Sequence, residues 1–162
     1  MLEYIIRELK NEEYLLLEDF LYEAIFQRDE TKRLPKDVIN HPTLKVYIED
    51  FGSKSHDYCL CAQVGEKIAG AVWVRVINGF GNVDSETPEF AISLYKEYRG
   101  QGIGTAMMES MLEFLADKGY ARTSLAVQKD NYALRMYEQV GFKVIGESEE
   151  EFIMEYRFDN SK

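Results

Sequence analysis

The chain reads as an α/β protein, a mixed central sheet of six to seven strands flanked by about four helices, and three observations lead there. Residues 57–77 hold two runs rich in Val, Ile and aromatic residues, broken by Gly65-Glu66-Lys67, the pattern of an antiparallel hairpin. From Glu89 onward, strand-like and helix-like runs alternate, an α/β pattern after a mostly antiparallel first half. Between the first strand and helix of that second half lies Tyr95-Lys96-Glu97-Tyr98-Arg99-Gly100-Gln101-Gly102-Ile103-Gly104-Thr105-Ala106, with three glycines at alternate positions.

Taken in order, Tyr4 to Leu9 predicts a short first strand. Asn11 offers an N-cap, with Glu12 and Glu13 in the first turn, and the apolar spacing of Tyr14, Leu15, Leu17, Phe20, Leu21 and Ala24 predicts a helix to about Phe26. Gln27 to Leu34 is polar and reads as loop. Pro35 opens a short helix over Lys36–Asn40, and Pro42 starts another that runs through Leu44, Val46, Tyr47, Ile48 and Phe51 until Gly52 ends it. Asp57–Val64 and Ile68–Ile77 are the hairpin strands. Asn78-Gly79-Phe80-Gly81-Asn82 is a glycine-rich loop, followed by the acidic Asp84-Ser85-Glu86 and a strand over Glu89–Tyr95. Helix Gly102–Lys118 stops at Gly119, strand Thr123–Val127 follows, then helix Asn131–Val140 closed by Gly141, then strands Lys143–Ile145 and Glu151–Phe158.

Length bounds the rest. At 162 residues, residues 1–162 form one domain with room for a sizeable core. With 46% hydrophobic and 30% charged residues, no apolar run near twenty and no signal-like start, the expectation is a cytoplasmic protein with no membrane partner. Nineteen basic against 29 acidic residues give a net charge of −10, which argues against nucleic acid. That charge serves solubility and mildly favours a cationic acceptor. Cys59 and Cys61 lack the companion ligands of a zinc site and read as buried thiols.

The glycine stretch carries the chemistry. A strand that turns tightly into a helix aims backbone N–H groups and the positive end of the helix dipole at one point, a site for phosphate or pyrophosphate. Glycine lets the backbone approach the anion and take φ > 0, and Arg99 adds a charged donor. No Gly-Lys-Ser/Thr follows, so it is not a P-loop. Gly100-x-Gly102-x-Gly104 also misses the Gly-x-Gly-x-x-Gly spacing of a dinucleotide fold.

Arg99, Gly102 and Gly104 do match Arg/Gln-x-x-Gly-x-Gly/Ala, a signature of the GNAT N-acetyltransferases. Asn131-Tyr132-Ala133-Leu134-Arg135-Met136-Tyr137-Glu138-Gln139-Val140-Gly141-Phe142 is similar to that family's second signature. It keeps the Asn, Tyr, Gly and Phe at the family's intervals, with Ala133 one place early. The resemblance is dense from Ile68 to Phe142 and thin before Asp57. It implies the GNAT acyl-CoA N-acyltransferase fold and transfer of an acetyl group from acetyl-CoA to a primary amine of a small molecule or peptide, by direct attack, without a metal or a covalent enzyme intermediate. Relatives often form homodimers. A non-catalytic acyl-CoA-binding or regulatory module is the alternative.

The same resemblance implies the site. Arg99, Gly100, Gln101, Gly102, Ile103, Gly104 and Thr105 would hold the pyrophosphate, and main chain near Ile92 and Leu94 the pantetheine arm, where a backbone N–H also stabilises the developing oxyanion. Many relatives carry proline where this chain has Lys96. Tyr137 is the candidate general acid, set against a plain core role on the apolar face it shares with Ala133, Met136 and Val140. Asn131 is an N-cap, a pantetheine contact, or both. For the general base Glu89 is favoured, with Glu86 and Asp84 just upstream. Tyr22, Phe26, Tyr47, Trp73 and Phe80 are candidates for the acceptor pocket, each with a core role as the simpler alternative.

Overall fold

A computed structural model describes residues 2–27 and 30–158. Seven strands form one mixed sheet: β1 (Ile5–Glu8), β2 (Tyr58–Val64), β3 (Lys67–Arg75), β4 (Glu89–Leu94), β5 (Arg122–Gln128), β6 (Lys143–Glu147) and β7 (Glu151–Arg157). Their spatial order is β1-β2-β3-β4-β5-β7-β6. All neighbours run antiparallel except β4 and β5, which are parallel. The α-helices are α1 (Leu16–Ala24), α2 (Pro42–Lys45), α3 (Ile103–Asp117) and α4 (Ala133–Val140).

The sheet is buried on both faces, and its period of two divides the core. Leu60, Ala62, Val72 and Val74 point to the side where Met107, Met108, Met111, Leu112 and Leu115 of α3 pack. Cys59, Cys61, Ala71 and Trp73 point to the other, under Leu17, Phe20 and Leu21 of α1. Both cysteines are therefore free, buried thiols. Helix α1 is pinned to β4 by Ser93 Oγ, which donates to the Phe20 carbonyl at 2.6 Å.

Two expected helices are shorter than their patterns, one through a local side-chain cap and one through a distant arginine. Asn11 is not the cap of a helix reaching Phe26. The chain makes a 3-10 turn over Asn11–Glu13, capped from Lys10, before α1 begins at Leu16. Glu13 fixes that turn by accepting from the Lys10 amide at 2.8 Å and from Arg7 at 3.0 Å. Helix α2 stops at Lys45 instead of running to Phe51, because buried Arg75 donates to the carbonyls of Val46 and Glu49 at 3.1 and 2.8 Å. The same guanidinium is paired through two bonds with buried Asp57. Strand β3 ends at Arg75, two residues before the expected Ile77, and α4 starts at Ala133 rather than Asn131. Strand β6 continues past Ile145 to Glu147, and β7 stops at Arg157.

Candidate active site

The site grows from the one parallel junction of the sheet. Strands β4 and β5 are joined by the single pair Glu89–Ser124 and then part. The loop between β3 and β4 lies across that junction. Ser124 Oγ donates to the Gly81 carbonyl at 2.7 Å, and Gly81 sits so close on the Leu125–Ala126 backbone that a Cβ would come within 2.7 Å of it. Beyond the junction the strands enclose a wedge. The Tyr95 amide donates to the Ala69 carbonyl of β3, so by strand alternation the N–H groups of Ile92 and Leu94 face away from β3, into the opening.

At the far end of β4 the glycine loop enters α3. Gly100 and Gly102 take φ of 77° and 86°, and no atom lies within 4 Å of where their Cβ atoms would be. Their requirement is conformational, since only glycine enters the left-handed region without cost. Among the described residues the first intrahelical bond is donated by Ala106 to Gly102, at 3.1 Å. The amides of Ile103, Gly104 and Thr105 therefore point out of the N-terminus with no helical partner, as an anion cradle requires. The Ile103 side chain is fully buried, so its part in the cradle is its amide alone.

A cavity of about 340 Å³ runs from this loop along β4 to α4. Ile92, Leu94, Arg99, Gly100, Gly102, Gly104 and Thr105 line it on one side, and Asn131, Met136 and Tyr137 on the other. Gln101 is exposed and Ile103 buried, and neither side chain lines it. Arg99 donates through Nε to the Leu94 carbonyl at 3.1 Å and through Nη2 to Glu23 of α1 at 3.0 Å. These residues fit a long, flexible ligand with a pyrophosphate at one end. There is an amide cradle with an arginine beside it, and a strand edge with free donors leading inward.

A second cavity, of about 580 Å³, meets the first at Tyr137, Asn131 and Ile92. It fills the rest of the wedge, between Phe90–Ile92 of β4 and Leu125–Gln128 of β5, under Ile25 and Phe26 after α1. Tyr137 is half-buried on α4 and lines both cavities. Burial, with nearby Tyr132, pushes its phenol up to about 12, so it keeps its proton throughout the neutral range. Asn131 caps α4, its Oδ1 accepting from the Ala133 amide at 2.9 Å, while also lining both cavities.

Glu89 stands at the apex of the wedge, 2% exposed and outside both cavity linings. Its carboxylate accepts from the Tyr47 hydroxyl at 2.6 Å and from the amides of Gly79 and Gly81 at 2.9 and 3.0 Å. Burial raises its pKa, and these three donors oppose the shift. A Cβ at Gly79 would fall 2.7 Å from the carboxylate, so this close approach needs glycine. Tyr47 lines the larger cavity, which puts a hydroxyl between the opening and the buried acid. Asp84 instead pairs with Arg122 at 2.9 Å and accepts from the Glu86 amide at 2.8 Å. Neither Asp84 nor Glu86 lines either of these two cavities.

Of the aromatic candidates, Phe26, Tyr47 and Phe80 line the larger cavity. Tyr22 is bonded to the Leu34 carbonyl, and Trp73 is buried, its Nε1 donating to the Tyr47 carbonyl. Glu149 and Glu150 of the β6–β7 turn and Glu151, which opens β7, also line it. Their only sequence signal is the acidic run ahead of β7. Among the described residues no group of three or more His, Cys, Asp or Glu is placed to hold a metal ion, and no helix is long and apolar enough to cross a membrane.

Known proteins share this architecture. The chain is 30% identical to human N-acetyltransferase 8B over 106 residues, which is 64% of this chain and 44% of that protein. It thus spans less than half the length of the curated relatives it matches first. Its fold matches the PaiA N-acetyltransferase of Thermoplasma acidophilum, solved in complex with coenzyme A. The TM-score is 0.71 at 20% identity, covering 96% of this chain and 99% of that one. The ribosomal-protein-S18-alanine N-acetyltransferase of Escherichia coli gives 0.69 at 15% identity, covering 99% and 97%. Residues 8–142, from the end of β1 through both glycine-bearing motifs to Phe142, match the acetyltransferase (GNAT) family, and the chain belongs to it.

Proposed function

We propose that this protein is an acetyl-CoA-dependent N-acetyltransferase in which a primary amine attacks the thioester directly. The observation that carries this reading is the meeting of two cavities at Tyr137, one leading to the amide cradle and the other to Tyr47 and Glu89. Acetyl-CoA, when bound, supplies an acetyl group already activated as a thioester.

The chain's own residues do the rest. The amides of Ile103, Gly104 and Thr105, with Arg99, hold the pyrophosphate, and the N–H groups of Ile92 and Leu94 align the pantetheine arm along β4. Glu89 is the base, acting through Tyr47. The amine's proton passes to the Tyr47 oxygen as the Tyr47 proton moves to Glu89 Oε2. Tyr137 holds the proton that the leaving sulfur needs. Burial pushes the thiols of Cys59 and Cys61 up, which leaves neither poised as a covalent relay. Two free thiols also suit the reducing cytoplasm, where we place the protein.

A thermal-shift titration with acetyl-CoA, NAD and ATP tests the reading. At one hundred times its Kd, acetyl-CoA should stabilise the fold by about 2.7 kcal/mol, and the nucleotides should not. Tyr137→Phe should then lower kcat for amine-dependent release of CoA by about 10²-fold while cofactor affinity holds. A shift with NAD instead, or none with acetyl-CoA, overturns the proposal. A non-catalytic module would bind the cofactor and show no Tyr137-dependent turnover.

A further inference from the structure

The cavity beside the glycine loop holds one carboxylate among its cations. Glu23, in the last turn of α1, lines it together with Arg33, Lys96 and Arg99. The Glu23 side chain is 17% exposed, and both of its oxygens face arginines. Oε1 accepts from Arg99 Nη2 at 3.0 Å, and Oε2 lies 3.9 Å from Arg33 Nη2. The Arg33 guanidinium itself sits 4.8 Å above the centre of the Tyr22 ring.

An acid is out of place in a cavity read as a pyrophosphate site, because its charge opposes the ligand's. Its use lies in what it does to Arg99. Nε and Nη2 share one edge of a guanidinium. Among the described residues, both side-chain hydrogen bonds of Arg99 fall on that edge, from Nε to the Leu94 carbonyl at 3.1 Å and from Nη2 to Glu23. The opposite edge, Nη1 with the other Nη2 hydrogen, is left for a ligand and has the fork geometry that takes two phosphate oxygens together. A long side chain fixed before the ligand arrives also loses less freedom when it binds. With three cations to one carboxylate, the cavity stays net positive.

We infer that Glu23 is a positioning residue for the cofactor: it acts through Arg99, holding the guanidinium with its open edge turned to the pyrophosphate. The inference rests on the N-acetyltransferase reading above and adds to it a residue of helix α1, seventy-six positions from Arg99 in sequence. The same bond ties the glycine loop to the segment that follows Glu23, where Ala24, Ile25 and Phe26 line both cavities.

The test is a double-mutant cycle read by calorimetric titration with CoA, on the wild type, Glu23→Ala, Arg99→Ala and the doubly substituted protein. Glu23→Ala should weaken CoA binding about tenfold while Arg99 is present, and should change nothing once Arg99 is alanine. Glu23→Gln, which keeps an acceptor oxygen at the same reach, should bind CoA within about threefold of the wild type. Taking a carboxylate out of an anion site by itself predicts the opposite sign, tighter binding. A damaged helix predicts equal weakening with and without Arg99, and no recovery in Glu23→Gln. Any of these results, or an affinity that Glu23→Ala leaves unchanged, would overturn the inference. A wild type that fails to bind CoA would instead remove the function on which it rests.

Discussion

The Tyr47 hydroxyl donates to Glu89 Oε2 at 2.6 Å and accepts from the Phe80 amide at 2.9 Å, tying the segment after α2, the start of β4 and the β3–β4 loop together at one oxygen. Removing that oxygen in Tyr47→Phe leaves the Phe80 amide and part of a buried carboxylate unpaired. The expected loss is about 1–3 kcal/mol, read as a lower urea midpoint at unchanged slope.

Glu89 gives this cluster a pH dependence. Its folded pKa is raised above the ordinary 4.5 by burial, so the native state holds the proton more tightly than the unfolded chain does. The contribution to stability is fully present below the ordinary value and is lost as pH rises through the raised one. Stability of the wild type relative to Glu89→Gln should therefore decline upward from about pH 4.5, in denaturation curves taken across pH 4 to 8. If Glu89 is the base, the acid limb of kcat/KM for the amine lies above the ordinary carboxylate range and vanishes in Glu89→Gln.

The cradle depends on a backbone angle. Gly102→Ala places a side chain at φ 86° in open space, so its cost is conformational rather than steric. A loss of about 1–2 kcal/mol is expected, a fall in Tm of several degrees at this length, together with weaker binding of CoA. An alanine variant with wild-type Tm and CoA affinity would show that the left-handed angle is not needed.

Arg75→Met tests the framework behind the acceptor cavity. The change strands buried Asp57 and frees the carbonyls of Val46 and Glu49. Breaking a buried pair on one side costs about 3–5 kcal/mol, to be measured by urea denaturation. Because the same guanidinium holds the segment that carries Tyr47, KM for the amine should rise more than KM for acetyl-CoA.

What was legible in the sequence is what short-range geometry dictates. Glycine spacing between a strand and a helix located the cradle, because positive φ is a local demand that Gly100 and Gly102 announce. The i, i+3, i+4 spacing placed Tyr137 with Met136 on the inner side of α4, and the hairpin of β2 and β3 followed from its turn. Long-range pairing stayed hidden. Arg75 reaching Val46 and Glu49, twenty-nine and twenty-six residues away, cuts a periodic segment short in a way no local window of residues reveals. Glu149–Glu151 reach the larger cavity only because β7 pairs with β5, and Tyr47, which lines the same cavity, meets Glu89 across forty-two residues of sequence.

The single Glu89–Ser124 bridge means that this sheet has four edges instead of two. The outer pair, β1 and β6, face solvent like the edges of any open sheet. The inner pair is recessed between α1 and α4, with the β3–β4 loop held across the closed end of the gap they leave. Amide hydrogen exchange should reveal that gap as a seam through the core. The amides of Ile92 and Leu94 would exchange quickly although Ala91 and Ser93 beside them are locked to β3, and a ligand lying along β4 would slow that pair selectively.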